Sequence, residues 1–358
     1  MSQRYDTLPA LLNHGFDTVI DVRSPAEYAE DHLPGAINLP VLDNRERAEV
    51  GTIYVQQSPF LARKIGAALV FRNAARHIET ALRDHEGGWR PLVYCWRGGQ
   101  RSGSFTWMLG QIGWRADVIE GGYRTYRRLV NTALYDRVLP HRLIALDGYT
   151  GTAKTELLHR VRGQGGQVLD LEGLAGHRGS LLGQRSGGQP SQKAFESRLA
   201  LALEALDAAR PVLIEAESSK IGQLIIPPSL WAAMKQAPRI AITAPPEART
   251  AYLVRAYDDI LSDAELLETQ LTKLRPHRGH AVVDGWLEKI AAGDKAGLTR
   301  ALMQQHYDPS YAKSRKAVDA PVIAHLQTER LDAAGLGRIA DRIVALLRNP
   351  PQPSASAS

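Results

Sequence analysis

Residues 92–104 read Leu-Val-Tyr-Cys-Trp-Arg-Gly-Gly-Gln-Arg-Ser-Gly-Ser and contain the single cysteine of the chain. Leu92, Val93 and Tyr94 read as the end of a buried strand, and Ser104 to Gly110 as the start of a helix. Between them, backbone N–H groups freed by Gly98 and Gly99, the positive end of the helix and the Arg97 and Arg101 guanidiniums should converge on one small volume. Such a loop is a cradle for an anion with the Cys95 sulfur at its floor. The same surroundings should lower the thiol pKa and favour the nucleophilic thiolate.

Working outward, Asp17-Thr-Val-Ile-Asp-Val reads as a strand that hands over to a helix capped by Ser24, with Pro25 at its first position and Glu27 three residues after the cap. That places Asp21 and Arg23 at a strand's carboxyl end, where α/β proteins build sites. A turn and short strand follow at His32-Leu-Pro-Gly-Ala-Ile-Asn, then one or two helices over residues 60–85, then the cysteine strand from Pro91. Val118 and Ile119 make another short strand, ending at Gly121-Gly122-Tyr123. Strands alternating with helices predict a parallel sheet. The motifs Asp21-Val-Arg-Ser-Pro-Ala-Glu-Tyr, His32-Leu-Pro-Gly-Ala-Ile-Asn, Cys95 ahead of Arg101-Ser102, and Glu120-Gly-Gly-Tyr, in that order, resemble a rhodanese domain. In that family the cysteine carries a persulfide. The loop from Cys95 to Arg101 is one residue longer than a typical sulfurtransferase loop and also resembles the related cell-cycle phosphatases, so phosphate-sized or selenium-containing anions should fit.

At 358 residues the chain has room for two domains, with an apolar fraction of 44% and a charged fraction of 23%, as in ordinary soluble proteins. No apolar run approaches the roughly 20 residues that span a bilayer, and the first residues lack the pattern of a signal peptide. One cysteine leaves neither internal disulfides nor multi-cysteine metal sites. A cytoplasmic protein with no membrane association is the expectation. The net charge of +6 and pI near 9.4 favour encounter with polyanions, RNA among them.

A second α/β unit starts at Arg142-Leu-Ile-Ala-Leu-Asp and runs into Gly148-Tyr-Thr-Gly-Thr-Ala-Lys-Thr and a helix. This is the strand–glycine loop–helix layout of a P-loop, with Ala153 where the pattern asks for glycine. Gly148, Gly151, Lys154 and Thr155 are its candidate diphosphate-binding residues, and Thr155 is a candidate partner for Mg²⁺. Further strands are expected at Gln167–Glu172, Pro211–Glu217 and Arg239–Thr243. Glu215 and Glu217 read either as carboxylates near a metal or as ordinary strand-end acids; no metal ligand set is assigned. The helix after Pro246 carries Arg249 and Arg255, as lid arginines or as solvated charges. From Ala264 the chain reads helical, and the stretch from Asn349 as a disordered tail. Arg124, Arg127 and Arg128, and Lys273, Arg275 and Arg278, are basic clusters that read as solvated helix faces or as contacts to an RNA phosphate backbone.

The expected division is a rhodanese-like domain over residues 1–128, a basic connecting helix over 129–142, a P-loop NTPase-like α/β domain over 143–262, a helical region over 263–348 and a tail over 349–358. The loop Cys-Trp-Arg-Gly-Gly-x-Arg-Ser-Gly-Ser, followed by this P-loop and by Ile214-Glu-Ala-Glu-Ser-Ser-Lys-Ile-Gly, resembles the tRNA 2-selenouridine synthases. That resemblance implies replacement of the sulfur of wobble 2-thiouridine in tRNA by selenium from selenophosphate, by way of an S-geranyl intermediate formed from geranyl diphosphate. It assigns Cys95, Arg97 and Arg101 to the selenium step, with Gly98, Gly99 and Ser102 holding selenophosphate, and the P-loop to geranyl diphosphate. The rival reading is a sulfurtransferase fused to an ATP-dependent kinase. No tightly bound cofactor is implied, and the sequence leaves the oligomeric state open.

Overall fold

The computed structural model describes residues 1–185, 187–316 and 320–349. The tail expected from Asn349 therefore falls, after that residue, outside the described residues. The chain divides into two compact units, Met1–Arg137 with Pro190–Ala200, and Val138–Gln189 with the remainder from Leu201.

In the first unit, strands β1 (Ser2–Gln3), β2 (Thr18–Asp21), β3 (Ile37–Asn38), β4 (Pro91–Tyr94) and β5 (Asp117–Ile119) form one parallel sheet in the order β1-β5-β4-β2-β3. All four residues of the central β4 are buried, so its sequence is a continuous apolar run. The helices are α1 (Leu8–Leu12), α2 (Pro25–Glu30), α3 (Asn44–Gln56), α4 (Pro59–Glu79), α5 (Gln100–Ile112) and α6 (Tyr123–Asn131). Ile20, Val22, Val93, Val70, Phe105 and Leu109 meet in the core beneath Cys95. Helix α5 begins at Gln100, not at the expected Ser104. Gly98 has φ +64 and turns the chain so sharply that the helix can start two residues later, with Arg101 and Ser102 in its first turn. Helix α6 passes into a π-helical turn, Thr132–Asp136, and the chain is extended at Arg137, so the expected connecting helix stops short of residue 142.

The second unit has a five-stranded parallel sheet. Its chain order is β6 (Leu143–Asp147), α7 (Lys154–Gly163), β7 (Gln167–Leu169), α8 (Leu171–Ala175), α9 (Gln192–Glu204, which starts in the first unit) and β8 (Val212–Glu215). A small antiparallel pair, β9 (Lys220–Ile221) and β10 (Leu224–Ile225), precedes α10 (Pro228–Gln236), β11 (Arg239–Thr243) and α11 (Pro246–Ala256). Helices α12 (Asp258–Leu261), α13 (Ala264–Thr272), α14 (Arg275–Arg278), α15 (His280–Ala291), α16 (Lys295–Leu302) and α17 (Asp308–Lys316) follow, then β12 (Val322–Gln327) and α18 (Ala333–Arg348).

The sheet order is β12-β11-β6-β8-β7, with Leu157 and Val161 of α7 and Leu336, Ile339 and Ile343 of α18 in the core against it. The C-terminal region is helical as expected, apart from β12, which was not anticipated. It is an edge strand in which only Leu326 is fully buried, so it lacks an apolar signature. The strand expected over Gln167–Glu172 ends at Leu169, because the Asp170 carboxylate accepts the Gly173 N–H at 2.7 Å and caps a helix there. No helix among the described residues is long and apolar enough to cross a membrane.

Candidate functional site

The thiol of Cys95 sits just past the carboxyl end of β4, 4% exposed, under an open cavity of about 850 Å³. The Ser102 hydroxyl lies 3.2 Å from the sulfur and 3.3 Å from the Gly99 carbonyl, and can donate to either. Burial pushes the thiol pKa up. The Ser102 hydroxyl, the backbone N–H groups of Ser102 and Arg97, and the Arg101 charge outweigh that, and the thiol ends below its ordinary value. Arg97 is exposed at the rim with Gly99 and Gln100. Arg101 does not point freely at the sulfur. Its guanidinium donates to the Glu27 carboxylate at 2.9 and 3.3 Å. Glu27 also accepts the Ser24 N–H at 3.0 Å, and Arg47 lies 3.9 Å from it. The sequence shows Glu27 only as a helix cap; its second role needs a partner 74 residues away.

The other motifs of this unit build the floor. Asp21 and Arg23 are fully buried, and the Arg23 Nη2 donates to Asp21 at 2.7 Å and to the Asp31 carbonyl at 2.6 Å. The Arg23 guanidinium lies 4.0 Å from the centre of the Tyr123 ring. These charges are therefore structural, not site groups as their place at a strand end suggested. Asn38 donates to the carbonyls of Asp21 at 2.9 Å and Arg23 at 3.0 Å, tying the His32–Asn38 motif to the same corner. At Gly122 (φ +58), a Cβ would stand 2.2 Å from the Cys95 carbonyl oxygen. Without it, the Tyr123 and Arg124 N–H groups at the start of α6 donate to the carbonyls of Cys95 (2.8 Å) and Trp96 (3.1 Å) and hold the thiol loop in place.

In the second unit, the loop 148–153 joins β6 to α7 and lines a cavity of about 910 Å³ with Thr150, Gly151, Ala153, Lys154 and Thr155. Ala153 has φ +59, the single non-glycine positive φ among the described residues, which is why P-loops favour glycine there. Lys154 Nζ donates to the Gly148 carbonyl at 2.7 Å. Gly148 N–H donates to the Tyr311 hydroxyl at 3.0 Å, and that hydroxyl donates to Asp147. Asp147 is fully buried and also meets Arg239 at 3.1 Å and Arg315 at 3.2 Å. Arg249 donates to the Thr150 carbonyl at 2.8 Å and pairs with Asp308 at 2.6 Å, so it braces the loop from below. The same cavity is lined by the apolar and aromatic side chains of Trp231, Met234, Tyr252 and Leu253 and by the cations Arg178, Arg185 and Lys235.

Glu215 and Glu217 line this cavity together with Glu172, which stands in helix α8 and not in the expected strand. The Thr155 hydroxyl donates to Glu172 at 2.9 Å. Glu215 accepts the Leu171 N–H at 3.1 Å while its other oxygen is buried without a hydrogen-bond partner. Burial, then the mutual repulsion of these acids, holds Glu215 well above the carboxylate range and pushes Glu217 up to about 8. Burial also raises Glu172 against the opposing Thr155 hydrogen bond. Among the described residues no three His, Cys, Asp or Glu side chains are placed to hold a metal ion.

The basic candidates are dispersed. Arg127 pairs with the buried Glu196, Arg275 with Asp284 at 2.6 Å, and Arg278 donates to Ser310 at 2.6 Å and to His306. Lys273 donates to Gln270 at 3.1 Å. Arg124 and Arg128 are exposed.

Residues 5–129 match the family model of the rhodanese-like domain, and residues 141–273 match that of the tRNA 2-selenouridine synthase AAA domain. The tRNA 2-selenouridine synthase of Alcanivorax borkumensis is 38% identical over 342 residues, 86% of this chain and 91% of its own length. The chain belongs to the tRNA 2-selenouridine synthase family. The family's enzyme from Hahella chejuensis is 33% identical over 330 residues, 82% of this chain and 84% of its own length, and that from Cupriavidus necator 33% over 337 residues. The tRNA 2-selenouridine synthase match at 141–273 takes in β6, the P-loop, Glu172, Glu215 and Glu217. Tyr311, which closes on Gly148, lies outside it, 163 residues along the chain, and no local pattern marks it.

Proposed function

We propose that the chain is a cytoplasmic tRNA-modifying transferase that replaces the sulfur of wobble 2-thiouridine with selenium from selenophosphate, by way of S-geranyl-2-thiouridine made from geranyl diphosphate. The observation that carries this reading is the coexistence, in one member of this family, of a thiol of lowered pKa beneath an arginine-rimmed cavity and a P-loop cavity whose lining includes Trp231, Met234, Tyr252 and Leu253. A P-loop that shares its cavity with apolar and aromatic side chains suits a diphosphate with a hydrocarbon tail.

In the first step the thiouridine sulfur attacks the allylic carbon of geranyl diphosphate. The S–C bond forms, the C–O bond to diphosphate breaks and the base loses its N3 proton. Lys154 and the backbone amides of the loop from Gly151 to Thr155 hold the diphosphate as it takes up charge, while the Gly148 N–H is committed to the Tyr311 hydroxyl. A thiocarbonyl sulfur is a poor leaving group until it is alkylated, which sets the order of the steps. In the second step the selenium of selenophosphate attacks C2, the C2–S bond breaks and geranyl thiol departs, and water then cleaves the Se–P bond to leave 2-selenouridine and inorganic phosphate. The Cys95 thiol, at the floor of the anion cradle, positions selenophosphate for the attack on C2. Arg97 and the amides of Gly98, Gly99 and Ser102 hold selenophosphate oxygens, and Arg101 exchanges Glu27 for the incoming anion.

Nucleoside mass spectrometry on 2-thiouridine tRNA incubated with the protein and geranyl diphosphate tests this. With selenophosphate omitted, S-geranyl-2-thiouridine should accumulate, and with it present 2-selenouridine should appear. Lys154→Ala should block both products. Unchanged 2-thiouridine in every arm, together with ATP hydrolysis and thiosulfate turnover, would instead establish the sulfurtransferase–kinase reading.

A further inference from the structure

Helices α4 and α5 leave a row of aromatic rings in water. Phe60, Lys64 and Phe71 recur at i, i+4 and i+11, on one face of α4, and Phe60 is 75% and Phe71 39% exposed. Phe71 meets Trp107 of α5 edge-on with ring centres 6.4 Å apart, and Trp107 is 59% exposed. Single exposed apolar side chains need no explanation, but the touching Phe71–Trp107 pair, with Phe60 about three turns away on the same face of α4, does. The row is also cationic. Helix α4 carries Arg63, Lys64, Arg72 and Arg76 against one carboxylate, Glu79, its last residue. Among the described residues none of the four cations is ion-paired, in contrast to Arg127 and Arg275. Trp107 stands two turns, about 10 Å, along α5 from Gln100 and Arg101, which line the Cys95 cavity.

We infer that this face is an RNA-docking surface, on which unpaired bases stack on Phe60, Phe71 and Trp107 while Lys64 and Arg72 hold the flanking phosphates. Rings interleaved with cations are how single strands are gripped, because every base offers a π-face and every linkage a charge. A second copy of the chain docked through the same face would bury those cations with no carboxylate there to neutralise them, whereas an RNA backbone supplies the counter-charge. The inference rests on the proposed tRNA-modifying activity and names the part of the chain that would present the RNA loop to Cys95.

The test uses the full chain and a synthetic anticodon stem-loop RNA carrying 2-thiouridine, with binding read by fluorescence anisotropy across a salt series. All the substituted side chains are exposed, so circular dichroism and the unfolding midpoint should not move. Each ring removed should weaken binding about tenfold, and Phe60→Ala/Phe71→Ala/Trp107→Ala at least about a hundredfold. Lys64→Gln/Arg72→Gln should lower the slope of log Kd against log salt by about 1 to 2. A fully paired duplex should bind the wild type at least about tenfold more weakly than the stem-loop. If the wild type binds the stem-loop and the ring variant binds it equally well, the surface is overturned while the proposed activity stands. A ring variant that loses self-association by light scattering yet keeps its RNA affinity overturns it in favour of a dimer contact. A wild type that binds no RNA refutes the activity and the surface with it.

Discussion

Replacing Ser102 by alanine removes one hydroxyl, fully buried and 3.2 Å from the Cys95 sulfur, and leaves the Arg101–Glu27 pair and the loop backbone in place. A hydrogen bond to a charged group is worth about 1.5–3 kcal/mol. The hydroxyl favours the thiolate over the thiol by that interaction, so its loss should cut the thiolate fraction about 10- to 150-fold at any pH well below the thiol pKa. A more basic thiolate is also a better nucleophile, with a Brønsted slope of about 0.4–0.5, so roughly half of that loss in log rate is recovered. The expected result is that alkylation by iodoacetamide near neutral pH slows only about 3- to 15-fold, while the midpoint of its pH profile moves up by at least about one pH unit. The midpoint is the decisive readout, because access to the buried sulfur affects all pH values alike. An unmoved midpoint in a folded Ser102→Ala protein would refute the assignment of Ser102 as the thiol's main hydrogen-bonding support.

Three further outcomes follow from the geometry. Asp21→Asn leaves the fully buried Arg23 guanidinium without its counter-charge and should lower stability by about 3–5 kcal/mol in urea unfolding; a change under about 1 kcal/mol would contradict the structural role given to this pair. Ala153→Gly relieves about 1 kcal/mol of left-handed strain but forfeits a buried methyl worth about 0.8 kcal/mol, so stability should change by less than about 1 kcal/mol, and a loss above about 2 kcal/mol would mean the methyl does more than fill space. Glu217, raised from 4.5 to about 8, binds its proton more tightly in the folded chain, so its contribution to stability is full below about pH 4.5 and drains away as the pH rises towards 8. Glu217→Gln should therefore flatten the fall in Tm between pH 5.5 and 8.5 measured by calorimetry; an unchanged fall would place the titrating group elsewhere.

Both glycine-rich loops were legible because each is local. The Cys95–Ser102 loop and the Gly148–Thr155 loop are short, and their glycines and cations sit within a few residues of the group they serve. What surrounds them was not legible. Glu27 reaches Arg101 across 74 residues and Tyr311 reaches Gly148 across 163, and nothing near either residue signals it. Asp21 and Arg23 misled in the opposite direction. Charges at a strand end suggest a site, yet these two neutralise each other in the core under Tyr123. Strand β12 was hidden because an edge strand with one fully buried residue carries no alternating pattern, and Glu172 changed element because Asp170 caps a helix one residue earlier.

The most direct single measurement is nucleoside mass spectrometry on 2-thiouridine tRNA treated with Cys95→Ala, geranyl diphosphate and selenophosphate together. If the thiol serves the selenium step and the P-loop the alkylation, S-geranyl-2-thiouridine should build up and 2-selenouridine should be absent. A folded Cys95→Ala protein that still makes 2-selenouridine, or makes neither product, would contradict that division of labour.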